Sequence, residues 1–140
     1  MGLQMDAAAL NGFLGREFPQ VAADFRVERV AENLAELRLI ASERNLRPGG
    51  TVSGPSMFAL ADLAIYCAIL ARIGPVALAV TTNASIDFMR KPAAGVDLLG
   101  ECRLLKLGRV LAVGDVMIRS EGVDAPVARA SMTYSIPPRG

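Results

Sequence analysis

Asp62 is the one acidic side chain in the apolar run from Met57 to Ile73, embedded among Phe58, Ala59, Leu60, Ala61, Leu63 and Ala64. A carboxylate in such surroundings is costly unless it is paired, hydrogen-bonded or wet. A structural role would bridge it to a strand arginine or to backbone donors, whereas a functional one would use it as a general base or nucleophile. Eight residues upstream, Gly54 lies at the start of the same helix, where unpaired N–H groups and the helix dipole favour negative charge on a ligand oxygen. Such an end can act as an oxyanion hole. It stands roughly 12 Å along the helix axis from Asp62, so a substrate carbonyl would have to reach between them. Tyr66 follows Asp62 by four residues, a spacing that lets its hydroxyl meet the carboxylate or, as an ordinary core aromatic, pack against a strand.

Other chemistries are excluded by composition. The 140 residues contain no histidine, which removes Ser-His-Asp triads, Cys-His pairs and histidine-ligated metals. Cys67 and Cys102 are the only cysteines and lack C-x-x-C spacing, which speaks for reduced thiols rather than a disulfide framework or a metal site; Cys67 reads as core filling. Fifteen basic residues nearly balance fourteen acidic ones without a long block of either sign, so a nucleic-acid partner is not expected. Met1 to Leu14 shows no basic segment followed by a continuous apolar stretch, which points away from a secretory signal and toward a cytoplasmic location.

The elements that must position Asp62 follow from the turn formers. Ser53-Gly54-Pro55 offers a capping residue and a proline for the first helical turn, and Gly74-Pro75 offers a stop, so one long helix is expected between them. Being apolar on nearly every face, it should be wrapped by other structure. A membrane span is rejected, because its length is marginal and Asp62 would cost about 2.5 to 3.5 kcal/mol at a bilayer centre. Residues 1–24 read as a helical extension, and Phe25–Val30 with Leu34–Ala41 as a hairpin turning at Glu32-Asn33. Strands follow at Leu78–Met89, Val96–Leu107, Val110–Arg119 and Pro126–Ile136, and residues 137–140 form a tail. The expectation is a single α+β domain over 1–140, with antiparallel strands curled around the helix they share.

The stretch Gly50-Thr-Val-Ser-Gly-Pro-Ser-Met-Phe-Ala-Leu-Ala-Asp62, with Ile86-Asp-Phe-Met-Arg-Lys-Pro92 and Leu105-Lys-Leu-Gly-Arg109, resembles the hot-dog acyl-CoA thioesterases of the phenylacetate-degradation (PaaI) type. The resemblance runs from about Phe25 to Ile136. That family opens its central helix with G-x-x-H-G-G-x-x-x-x-L-x-D, matched at Gly50, Gly54, Leu60 and Asp62; its histidine falls on Ser53 and its second glycine on Pro55. The implied fold is hot-dog: a long central helix wrapped by a curved antiparallel sheet of five to six strands, with a short N-terminal helix.

The implied activity is hydrolysis of an acyl-CoA thioester, with Asp62 as general base or nucleophile and the Gly54 N–H polarising the carbonyl. No cofactor or metal is implied, coenzyme A being part of the substrate. Related thioesterases take a hydroxyl residue from the start of the strand after the helix, across a dimer interface. Thr81 fits that place, with Thr82 and Asn83 as neighbours able to exchange roles; alternation puts Thr81 and Asn83 on one face and Thr82, Ala84, Ile86 and Phe88 on the other. Asn45 is the candidate for a polar loop residue before the helix, near the aligned Arg47. Ser53 can still cap and hydrogen-bond. Phe58 and Met57 would line an acyl pocket, and Arg90, Lys91, Lys106 and Arg109 could meet the phosphates of coenzyme A. The implied assembly is a dimer or dimer of dimers with active sites at the dimer interface. The departures at Ser53 and Pro55 keep a second class open: a non-catalytic hot-dog module that binds an acyl-CoA or a related ligand.

Overall fold

The computed structural model describes residues 2–138. Two helices open the chain, α1 (Ala7–Glu17) and α2 (Pro19–Ala22), followed by the hairpin β1 (Phe25–Ala31) and β2 (Leu34–Leu39). The hairpin turns at Asn33, whose φ of 62° is left-handed, a conformation that asparagine tolerates better than most residues. Then come α3 (Gly54–Ile73), β3 (Val80–Phe88), β4 (Leu98–Leu107), β5 (Leu111–Ser120) and β6 (Pro126–Ser135). The expected helix start at Ser53-Gly54-Pro55 and stop at Gly74 both hold. The last two residues of the expected tail lie outside the described residues.

All six strands form one antiparallel sheet in the order β1-β2-β4-β5-β6-β3. Residues directly opposite one another share a face, so the ladder fixes what meets α3. One row crosses the sheet as Leu37, Gly100, Ile118, Ala128 and Phe88, and another as Ala35, Cys102, Val116, Ala130 and Ile86. Gly100 and Gly114 sit beneath the helix. A Cβ on Gly100 would stand 3.0 Å from Leu60 Cγ, and one on Gly114 3.0 Å from Ile65 Cδ1. The absent side chains are what lets α3 approach the central strands.

By length and composition α3 could cross a membrane, but eleven of its twenty residues are buried within this fold, which makes it a core helix. The expectation that it is wrapped on all sides needs correction in its first half. Pro55, Phe58 and Ala59 are exposed and Asp62 and Leu63 half-buried, forming one stripe at helical spacing. The cause is the sheet's edge. On β3 the inner-face residues Ala84 and Phe88 are themselves exposed, so neither the last strand nor the helix beneath it is fully covered.

Candidate active site

Three local features build the N-terminus of α3. Gly49 and Gly50 have φ of 104° and 83°, turning the chain so that Leu46 bridges Val52. Ser53 donates its N–H to Asn45 O at 2.8 Å. The Asn45 side chain is buried and its Oδ1 accepts from Ser42 N and Ser42 Oγ, which turns its Nδ2 toward Ser56 Oγ at 3.5 Å. Asn45 therefore borders the helix end, while Arg47 lines the cleft beside it.

Within the first turn, Ser53 is the cap and its Oγ accepts from Ser56 N. Pro55 has no N–H, and Met57 N donates to Ser53 O at 3.1 Å. That leaves Gly54, whose amide meets no acceptor among the described residues. The Ser-Gly-Pro entry thus concentrates the helix end's hydrogen-bonding capacity on one donor. Gly54 lines a cleft of about 570 Å³ together with Met57, Phe88, Arg90 and Lys91, among others.

The carboxylate of Asp62 belongs to a different cluster. Its Oδ1 accepts from the Thr81 hydroxyl and, at 2.8 Å, from Tyr134 OH. Its Oδ2 has no partner among the described residues, and no arginine or lysine pairs with Asp62 there. Two hydroxyls, rather than the arginine or backbone donors of a purely structural aspartate, offset the cost of its partial burial. Burial first, and the Asp62 charge second, push the Tyr134 phenol well above its usual range, so it remains a donor.

The structure bears on three of the residues singled out in the sequence. Within one chain, β3 runs beside the helix and the Thr81 hydroxyl donates to Asp62 Oδ1. Alternation placed Thr81 with Asn83, yet a bulge interrupts β3: Thr81 lies opposite Tyr134 and Asn83 opposite Thr133. The extra residue, Thr82, resets the phase. Thr81 therefore shares the inner face with Ala84, Ile86 and Phe88, Asn83 points outward, and Thr82 Oγ1 donates to Thr133 O. Tyr66 does not meet the carboxylate either; its hydroxyl donates to Ala77 O at 3.1 Å, and Tyr134 holds the position instead. A faint signal for Tyr134 existed. It continues the inward phase of Ala128, Ala130 and Met132, and a buried tyrosine needs a partner for its hydroxyl.

The remaining candidates divide by location. Arg90 and Lys91 border the cleft at the Phe88 end of β3. Lys106 and Arg109 lie at the opposite end of the sheet, where Leu107 pairs with Ala112 and Ala112 with Tyr134. Phe58, 37% exposed, lies on the open stripe with Asp62. Cys67 is fully buried and burial pushes its thiol far up, consistent with core filling.

Residues 49–127, over half of the chain, match the family model of the thioesterase superfamily. A search of curated proteins finds no significant match. Among solved structures, a candidate thioesterase of a Silicibacter species is 59% identical, covering 99% of this chain and 96% of its own, at a TM-score of 0.92. A variant of the phenylacetic acid degradation protein PaaI from Thermus thermophilus is 28% identical over 85% of this chain and 99% of that one, at a TM-score of 0.72. The E. coli PaaI protein, at 22% identity, covers 94% of each chain at a TM-score of 0.78 and shares the fold. The chain belongs to the thioesterase superfamily and has its hot-dog fold, and thioester hydrolysis is the chemistry that membership assigns to it.

Proposed function

We propose that this protein hydrolyses an acyl-CoA thioester to a free acid and coenzyme A, with Asp62 as general base or nucleophile and the Gly54 N–H on the carbonyl oxygen. The observation that carries the reading is the split state of Asp62: Oδ1 holds two hydroxyls while Oδ2 meets no protein donor among the described residues. As a base, Oδ2 takes a proton from water as the water oxygen bonds to the acyl carbon. The resulting oxyanion is stabilised by the amide, and collapse breaks the C–S bond, the thiolate recovering the proton. As a nucleophile, Oδ2 itself bonds to the acyl carbon, the C–S bond breaks and the coenzyme A thiolate leaves. Water then cleaves the mixed anhydride to the free acid, regenerating the Asp62 carboxylate while the acid's proton passes to the thiolate.

One chain does not place both groups on one carbonyl. Eight helical residues separate them by about 12 Å, whereas oxyanion donors work at about 3 Å and attacking atoms start at about 3 to 3.5 Å. The sheet supplies a remedy. Asp62 is tied to Thr81 at one end of β3, and Gly54 lies under Phe88 at the other. β3 is an edge strand with Val80 54% and Phe88 52% exposed. Antiparallel pairing of β3 with β3 of a second copy would set each Thr81 end beside the other copy's Phe88 end, bringing Gly54 of one copy toward Asp62 of the other. The same symmetry would gather Arg90 and Lys91 of one copy and Lys106 and Arg109 of the other at one mouth, suited to the phosphates of coenzyme A. Two free, buried thiols suit a reducing cytoplasmic compartment.

Thiol release from short-chain, medium-chain and aryl-CoA substrates tests the reading, with Asp62→Asn beside the wild type. Turnover by the wild type that collapses in the variant is expected. Equal rates would remove Asp62 from the mechanism, and tight acyl-CoA binding without turnover would favour a binding module.

A further inference from the structure

A carboxylate used for hydrolysis must not only be present but present a defined oxygen, and on the half-open stripe of α3 nothing in the helix itself prevents Asp62 from rotating. We propose that Tyr134 is a positioning residue for the hydrolysis: with Thr81 it fastens Oδ1 of Asp62, so that Oδ2 alone is offered to the reacting water or acyl carbon. The inference rests on the hydrolytic reading of Asp62 given above.

The support around Tyr134 is rigid. It is 3% exposed and held in two ladders at once, opposite Thr81 on β3 and Ala112 on β5. Its ring lies 6.1 Å from that of Tyr66, which meets Phe18 edge-on at 5.7 Å and Phe13 at 6.4 Å. Phe13 of α1 and Phe18 just after it thereby support Tyr66, the ring against which Tyr134 packs. Tyr66 spends its own hydroxyl on Ala77 O and does not compete for the carboxylate. Tyr134 OH also lies 3.2 Å from Asp62 O, so the phenol is placed against both the side chain and the backbone of the residue it steadies.

The arrangement needs no rearrangement during the reaction. If Oδ2 accepts a proton, Oδ1 becomes the carbonyl oxygen of a neutral acid and keeps both donors. If Oδ2 bonds to the acyl carbon, Oδ1 becomes the carbonyl oxygen of the anhydride and again keeps them. Rotating the carboxylate would break two hydrogen bonds at once, one of them to a buried strand residue paired on both sides. Holding a reacting group in this way, with its partners already in place, is how preorganisation lowers a barrier.

Tyr134→Phe removes the hydroxyl and keeps the ring. With the full chain and an acyl-CoA that the wild type turns over, kcat should fall at least about tenfold, the order expected for losing a hydrogen bond to a charged group. KM should stay within about twofold, because the phenol does not touch substrate. Crystal structures of both proteins should show the Asp62 carboxylate turned or spread over two orientations in the variant only. A kcat within about twofold of wild type, or a carboxylate unmoved in the variant, overturns the proposal; a merely structural tyrosine would lower the melting temperature and leave kcat in place. If the wild type released no thiol from any acyl-CoA, the hydrolytic reading would fall, and the paired crystal structures would still decide whether Tyr134 positions Asp62.

Discussion

Phe88 lays its ring across the start of α3, so that a Cβ built on Gly54 would stand 3.4 Å from Phe88 Cζ. That is ordinary contact rather than a clash, and it separates the glycine's two properties, small size and a free amide. Gly54→Ala keeps the N–H and should leave kcat within about threefold of wild type. Gly54→Pro suits a first helical position, and the extended Ser53 before it tolerates a following proline. It deletes the donor, and kcat should drop by about a hundredfold, the scale of losing one oxyanion-hole hydrogen bond. Steady-state kinetics on both variants, with circular dichroism to verify folding, checks this.

Shared sites between two copies make a separate prediction. Asp62→Asn and Gly54→Pro chains are each expected to be inactive, but mixed dimers formed by co-refolding should regain about a quarter of wild-type activity. Half of the dimers would then be mixed, and each mixed dimer would hold one whole site. Recovery indistinguishable from zero, with mixed dimers demonstrated by mass spectrometry, would place each site within a single chain.

Packing of α3 on the sheet gives a prediction independent of activity. A methyl group on Gly114 would meet Ile65 Cδ1 at 3.0 Å, Cys102 Sγ at 3.1 Å and Arg103 O at 3.3 Å. Gly114→Ala should therefore cost about 1 to 3 kcal/mol in urea unfolding, as overpacking a closed core does. Adding Ile65→Val removes the Cδ1 atom and should return part of the loss, while leaving the sulfur and carbonyl contacts.

Thiol chemistry follows from burial. Cys102 is pushed up to about 12, chiefly by burial, and Cys67 further still. Since the thiolate is the reactive form, both should resist iodoacetamide at pH 8 in the native protein and react at once in guanidinium. Rapid modification of the native protein would show that the core opens on the experimental timescale.

Most of the frame was legible because punctuation residues carry it. Ser53, Pro55 and Gly74 marked the ends of α3, Asn33 marked the hairpin turn, and turn formers marked off the later strands. Asp62 stood out because a charge amid apolar neighbours demands an account. What escaped depends on contacts distant in sequence or on breaks in periodicity. Tyr134 lies 72 residues from the carboxylate it touches, and pairing at that range is set by sheet order, which local pattern does not encode. The bulge in β3 escaped for a different reason: strict alternation is the only pattern a short strand offers, and one inserted residue inverts it without changing composition. The open stripe of Pro55, Phe58 and Ala59 escaped because apolar sequence predicts burial but does not say whether the chain itself supplies the cover.

The doubled threonine at the start of β3 also sets how this strand bears a change of length. Removing Thr81 or Thr82 produces the same chain, Val80 followed by one threonine and Asn83. That shortened strand would pair without a bulge, its single threonine opposite Tyr134 and facing Asp62. A lost codon normally disrupts a strand, because it turns every following side chain over; here the spare residue would absorb the loss, and a threonine hydroxyl would remain in place beside Asp62 Oδ1.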